Sequence, residues 1–285
     1  YTREFNGGMP GRSGIPAAEP VSIPGGMTVA TTSNPAFSRE MFPGYEQVYG
    51  APRTTTMTVQ GTIGKTFVLL VVLSATALWS WNAMAGGQLA YGLLVGSAIA
   101  GFIVAMITMV KPTAAPWTAP FYAALEGVFL GAISQVIQMQ YGAKFPGAGG
   151  IVMQAVSLTC GVLMIMLFVY ATRLIRVTDK LKTGIVVATG ALCLFYFVSM
   201  LLRLFGVEAP LIFSSTPLGI GFSLFVVGLA AFNLLLDFDF IEKAAQSAAP
   251  KYMEWYGAFG LMVTLIWLYL EILRLLMKLA NQREN

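Results

Sequence analysis

The sequence predicts an all-α, polytopic membrane protein, a bundle of six or seven transmembrane helices behind a disordered tail. Three observations carry this. The 285 residues are 56% hydrophobic and only 11% charged, with mean hydropathy +0.72, whereas soluble domains carry roughly 25% charged residues. Long apolar runs recur along the chain. The segments between them hold helix breakers. A chain this poor in charge could not cover a water-facing surface, so its solvent over most of its length is lipid.

Residues 1–50 are rich in Gly, Pro, Ser and Thr without apolar periodicity and read as a disordered tail. They lack the apolar stretch of a cleavable signal peptide. Apolar runs follow at about 66–82, 89–110, 119–139, 151–171, 184–204, 217–236 and 256–276. Each approaches or exceeds the roughly 20 residues that a helix needs to cross about 30 Å of hydrocarbon. Gly86-Gly87, Lys111-Pro112 with Pro116, Pro146 with Gly147 and Gly149-Gly150, Pro210 and Pro250 separate them. The expected division is a cytoplasmic tail over 1–60, a seven-helix domain over 61–280 and a C-terminal tail over 281–285.

With the N-terminus inside, the inner segments hold twelve Lys or Arg and the outer loops only Lys144 and Arg203. This bias points to a cytoplasmic N-terminus in the cell's inner membrane. Seven crossings leave Arg274, Lys278 and Arg283 outside, so a seventh helix that enters without fully crossing stays open. The formal net charge of +4 is an orientation signal rather than a nucleic-acid footprint. The chain has no His, no nucleophile elbow and no phosphate loop, which speaks against an enzyme and against a bound cofactor. Cys160 and Cys193 lie inside apolar runs and read as small core residues. Trp79, Trp81, Trp117, Trp255 and Tyr256 fit interfacial belts, and Gly221 and Gly228 read as points of close helix approach.

A carboxylate in hydrocarbon costs about 2.5–3.5 kcal/mol on insertion scales and therefore marks function by default. Three stand out. Glu126 lies seven residues past Ala119, with no basic residue at i±3 or i±4. Asp237 ends the sixth run, with Asn233 at i−4 as a polar neighbour; a bridge to Arg173 or Arg176 is the structural alternative. Glu271 has Arg274 at i+3, so a local ion pair competes with a functional role. Asp239 has Lys243 at i+4 and reads as a solvated pair. Asp237 and Glu126 fall at similar depths and could meet.

At these residues the chain resembles the Bax-inhibitor family, in its bacterial branch. Glu126-Gly127-Val128-Phe129-Leu130-Gly131, Leu236-Asp237-Phe238-Asp239-Phe240-Ile241 and Trp267-Leu268-Tyr269-Leu270-Glu271-Ile272-Leu273 carry the likeness, in order, on the third, sixth and seventh runs. The resemblance covers about residues 53–280. It implies six helices around a central seventh, and a proton-sharing acid pair gating a pH-sensitive calcium leak. Asp237 would take the first place and Glu271 the second, as possible calcium contacts; Glu126 remains the other partner for Asp237. The expected partners are the bilayer and calcium or protons. The rival reading is a regulator that binds a membrane protease through its tail.

Overall fold

The computed structural model describes residues 56–85, 91–142, 150–206 and 214–282. The expected disordered tail, Arg283 and the outer-loop Lys144 lie outside the described residues. Seven helices are long and apolar enough to cross a membrane: α1 (Val59–Ala85), α2 (Tyr91–Val110), α3 (Ala115–Tyr141), α4 (Gly150–Ala171), α5 (Asp179–Leu204), α6 (Pro217–Gln246) and α7 (Met253–Gln282). A short 3-10 turn, Pro112–Ala114, links α2 to α3. No strand occurs among the described residues.

Every helix except α2 extends past its apolar run at one end or both, because capping and packing, rather than hydropathy, decide where it stops. Thr178 caps α5 by accepting from the Leu181 N–H, and Thr216, followed by Pro217, caps α6 by accepting from Gly219. The α4 and α6 C-termini both close in a Schellman pattern. Leu174 N–H bonds the Val169 carbonyl while Arg173 N–H bonds Tyr170; Ala249 and Ala248 repeat this on Ala244 and Ala245. The residue at the turn must be left-handed, and Arg173 (φ 54°) and Ala248 (φ 52°) hold that conformation where glycine is usual. The steric cost is roughly 1–2 kcal/mol each.

Contact registers give the helix directions. Thr62 meets Gly257 on α1 and α7, and Tyr122 meets Phe259 while Ser134 meets Tyr269 on α3 and α7, so these three run parallel. On α6, Ile241 lies beside Gly257 and Ser223 beside Lys278, so α6 runs opposite to α7. Hence α7 runs the whole length of the bundle, antiparallel to α6. Glu254 lies at the end where α1 begins, here the near end, and Lys278 at the far end where α6 begins. Its 30 residues span about 45 Å, long enough to cross the hydrocarbon from side to side.

The core is built around α7, which packs against α1, α3, α4 and α6 and is buried along its whole length. The outer surface is apolar, with Phe67, Leu78, Phe102, Phe121, Phe168 and Leu194 all facing outward, as lipid contact requires. Hydroxyls at this depth close on their own helices: Thr66, Thr108, Thr159 and Ser199 each donate to the carbonyl four residues back.

The close helix approach is elsewhere than expected. Gly221 and Gly228 have open space where a Cβ would stand. At Gly127 a Cβ would overlap Thr76 Oγ1 and the Leu73 carbonyl, and at Gly131 the Ala77 carbonyl. This small-xxx-small pair lets α3 lie backbone to backbone on α1, where Ser80 donates to the Val128 carbonyl at 2.7 Å. Gly127→Val should therefore destabilise the bundle by about 1–3 kcal/mol or more. Thermal unfolding in detergent measures this, and an unchanged midpoint would mean that α1 and α3 stand further apart. Both cysteines also depart from expectation. They are exposed on the outer surface rather than in the core, because these positions of α4 and α5 turn toward lipid.

Candidate functional site: a polar seam along the central helix

The seam between α6 and α7 carries polar side chains at successive levels of an otherwise apolar core. On α7 they recur every seven residues, at Thr264, Glu271 and Lys278, which keeps them on one stripe with about 10 Å between levels.

At the level nearest the α1 end, the Thr264 hydroxyl stands beside the Asp237 carboxyl and donates to the Gly260 carbonyl at 3.3 Å. Asp237 Oδ2 is shielded from solvent and has no hydrogen-bond partner. No cation pairs with Asp237 among the described residues. Arg173 lies 3.6 Å from Glu242, and Arg176 makes no pair with Asp237. Asn233 does not extend the Asp237 stripe; it donates to Thr189 Oγ1 on α5 and to the Leu229 carbonyl, both at 2.9 Å. Asp239 does pair with Lys243, at 2.6 Å, but it is buried rather than solvated, since α4 and its following turn cover this face of α6.

At the middle level Glu271 is 2% exposed and held by a closed triangle. Arg274 Nη1 donates to both Glu271 oxygens, at 2.9 and 3.0 Å, and to the Tyr196 hydroxyl at 2.7 Å; Tyr196 donates to Glu271 at 3.0 Å. The guanidinium also lies over the Tyr196 ring, 5.2 Å from its centroid. At the far level Lys278 donates to the Gly219 carbonyl and to Ser223 Oγ, at 2.9 and 2.8 Å.

Glu126 is outside this seam. It is half-buried on α3, beside Tyr122 on its own helix and set against Gly101 of α2, where a Cβ would stand 3.0 Å from its Oε1. None of the three carboxyls bonds to another. Asp237 faces Thr264, seven residues before Glu271 on α7, so one ion does not reach both at once in this arrangement.

A fourth acid, not singled out by the sequence, is the most heavily bonded. Glu254 is fully buried at the start of α7. Its carboxylate accepts from the Thr58 N–H and Oγ1, both at 2.9 Å, and pairs with Lys65 and with Lys251, the latter at 2.9 Å. Lys65 also sits 5.5 Å from the centroid of the Trp255 ring. Gly61 leaves room for this carboxylate, which a Cβ would overlap. Its place in a polar link after Pro250 and the Lys251 three residues before it were the sequence hints; the partners from α1 are remote in sequence.

No curated protein and no solved structure matches the chain. The family model described as Bax inhibitor 1 like matches residues 34–281. That match spans most of the chain and the whole helical bundle, and the chain belongs to the Bax inhibitor 1 like family.

Proposed function

We propose that the chain is a pH-sensitive cation leak, with calcium as the transported ion and the α6–α7 seam as its path. The observation that carries this reading is Asp237, a carboxyl in the core with one shielded, unpartnered oxygen and no counter-charge. An intramembrane acid is commonly balanced by a basic partner, as Glu271 is by Arg274, whereas Asp237 has none among the described residues. A lone carboxyl changes its charge by taking up or releasing a proton. Protonated, it is neutral and the seam offers a cation nothing. Deprotonated, it presents a hard oxygen ligand of the kind calcium takes. The leak therefore rises as pH rises.

In this scheme an ion meets Asp237 and Glu271 in succession rather than together. The Arg274 and Lys278 cations keep the far half closed while Glu271 stays paired. The test is calcium flux into proteoliposomes across a pH series. Wild type should leak more at higher pH, and Asp237→Asn should give a low flux independent of pH. A variant that keeps the full pH response would remove Asp237 from the gate.

A further inference from the structure

We infer that the pocket between the end of α4 and the end of α6 binds the phosphodiester headgroup of an anionic membrane lipid. The cavity, of about 330 Å³, is lined by Tyr170, Arg173, Arg176, Asp239, Glu242 and Lys243, among others. It sits where α4 and α6 leave the hydrocarbon. Phe168 and Leu174 beside it are 65% and 73% exposed, so acyl chains have an apolar surface next to the polar opening.

The charges in the pocket are unevenly used. Asp239 is taken by Lys243 at 2.6 Å. Glu242 accepts from the Tyr170 hydroxyl and, at 3.1 Å, from Gln246. Arg173 approaches Glu242 only to 3.6 Å, too far for a hydrogen bond. The Arg176 side chain makes neither a hydrogen bond nor an ion pair among the described residues and is exposed; only its carbonyl is engaged, by the Thr178 N–H. Two guanidinium forks thus keep free donors of the geometry that phosphate oxygens accept in pairs. Among the lining side chains three cations face two engaged carboxylates, while Asp179, outside the lining, also acts on Lys243.

The backbone supplies a separate argument. Arg173 occupies the left-handed cap position that glycine fills without strain, yet its long side chain gains only a loose contact within the chain. Lys and Arg also concentrate at this end of the bundle, the mark of the cytoplasmic leaflet with its anionic lipids. A basic pocket between helices on that side is a headgroup site by its chemistry.

The test uses the full chain in uncharged detergent, with thermal midpoints and native mass spectrometry read against added phosphatidylglycerol, diacylglycerol and soluble glycerol phosphate. Phosphatidylglycerol should bind and raise the midpoint, and the other two should not. The double variant Arg173→Gly, Arg176→Gln should weaken phosphatidylglycerol binding by about tenfold or more. Arg173→Gly alone should leave the lipid-free midpoint unchanged or higher, because glycine relieves the turn; this separates loss of binding from loss of fold. Equal stabilisation by diacylglycerol, equal response to glycerol phosphate, or undiminished lipid binding by the double variant would each overturn the assignment.

Discussion

Glu254→Gln should unfold at a temperature lower by on the order of 10 °C in detergent, the largest stability loss expected from a single near-isosteric change in this bundle. Glutamine keeps the shape of the side chain and removes the charge that holds Lys65, whose side chain is only 20% exposed, and Lys251. Breaking a buried pair from one side costs about 3–5 kcal/mol, because the other charge stays behind without compensation. The more exposed Lys251, at 47%, adds little by itself. The link joins the start of α1 to the start of α7, beside the backbone bond from Met57 N–H to the Ala249 carbonyl. Adding Lys65→Met should recover part of the loss, since it removes the stranded cation. A parent-like midpoint for Glu254→Gln would show that Thr58 and the surrounding packing hold this end without the charge.

Arg274→Ala should have the second largest effect, and it reads on both stability and transport. Glu271 would be left inside the bundle with only the Tyr196 hydroxyl, at a cost of about 3–5 kcal/mol. The paired replacement Glu271→Leu with Arg274→Leu should cost far less, because an apolar pair of similar volume needs no desolvation. The difference between the single and double variants measures the pair itself. In flux assays Arg274→Ala should raise the leak, because it removes a cation from the far half of the seam and frees a second carboxylate there. The leucine pair should not raise it. A leak unaltered by Arg274→Ala would mean that the triangle around Tyr196 is not a barrier to ions.

The seven spans were legible because hydrocarbon thickness sets a length that a run of apolar residues reveals directly. Their ends were not, because the first turn of α1, Val59-Gln60-Gly61, is helical through its bonds to Thr58 and its fit against Glu254 rather than through hydropathy. The Glu271–Arg274 contact was legible as an i+3 pair. Asp237 drew attention because it lacks such a pair, and it lacks one in the folded chain too. Glu254 was missed because Thr58 and Lys65 come from the other end of the described chain, and local spacing shows only its i,i+3 pair with Lys251. The glycines failed for a related reason. In a helix that is apolar all round, no hydrophobic stripe tells which side meets a neighbour. Gly127 and Gly131 were therefore indistinguishable in sequence from Gly221 and Gly228, and Asn233 could be placed on the side of Asp237 when it turns to Thr189.

That the most enclosed helix, α7, comes after the four that pack against it, α1, α3, α4 and α6, bears on how the protein is made. The six earlier segments enter the bilayer one after another with no centre to close upon, and their inward faces must wait in lipid or lean on one another. Assembly is thus decided late, when Met253–Gln282 leaves the ribosome and threads between neighbours already inserted. A chain stopped short of α7 would be fully membrane-integrated and yet hollow, a natural target for the proteases that clear unfinished membrane proteins.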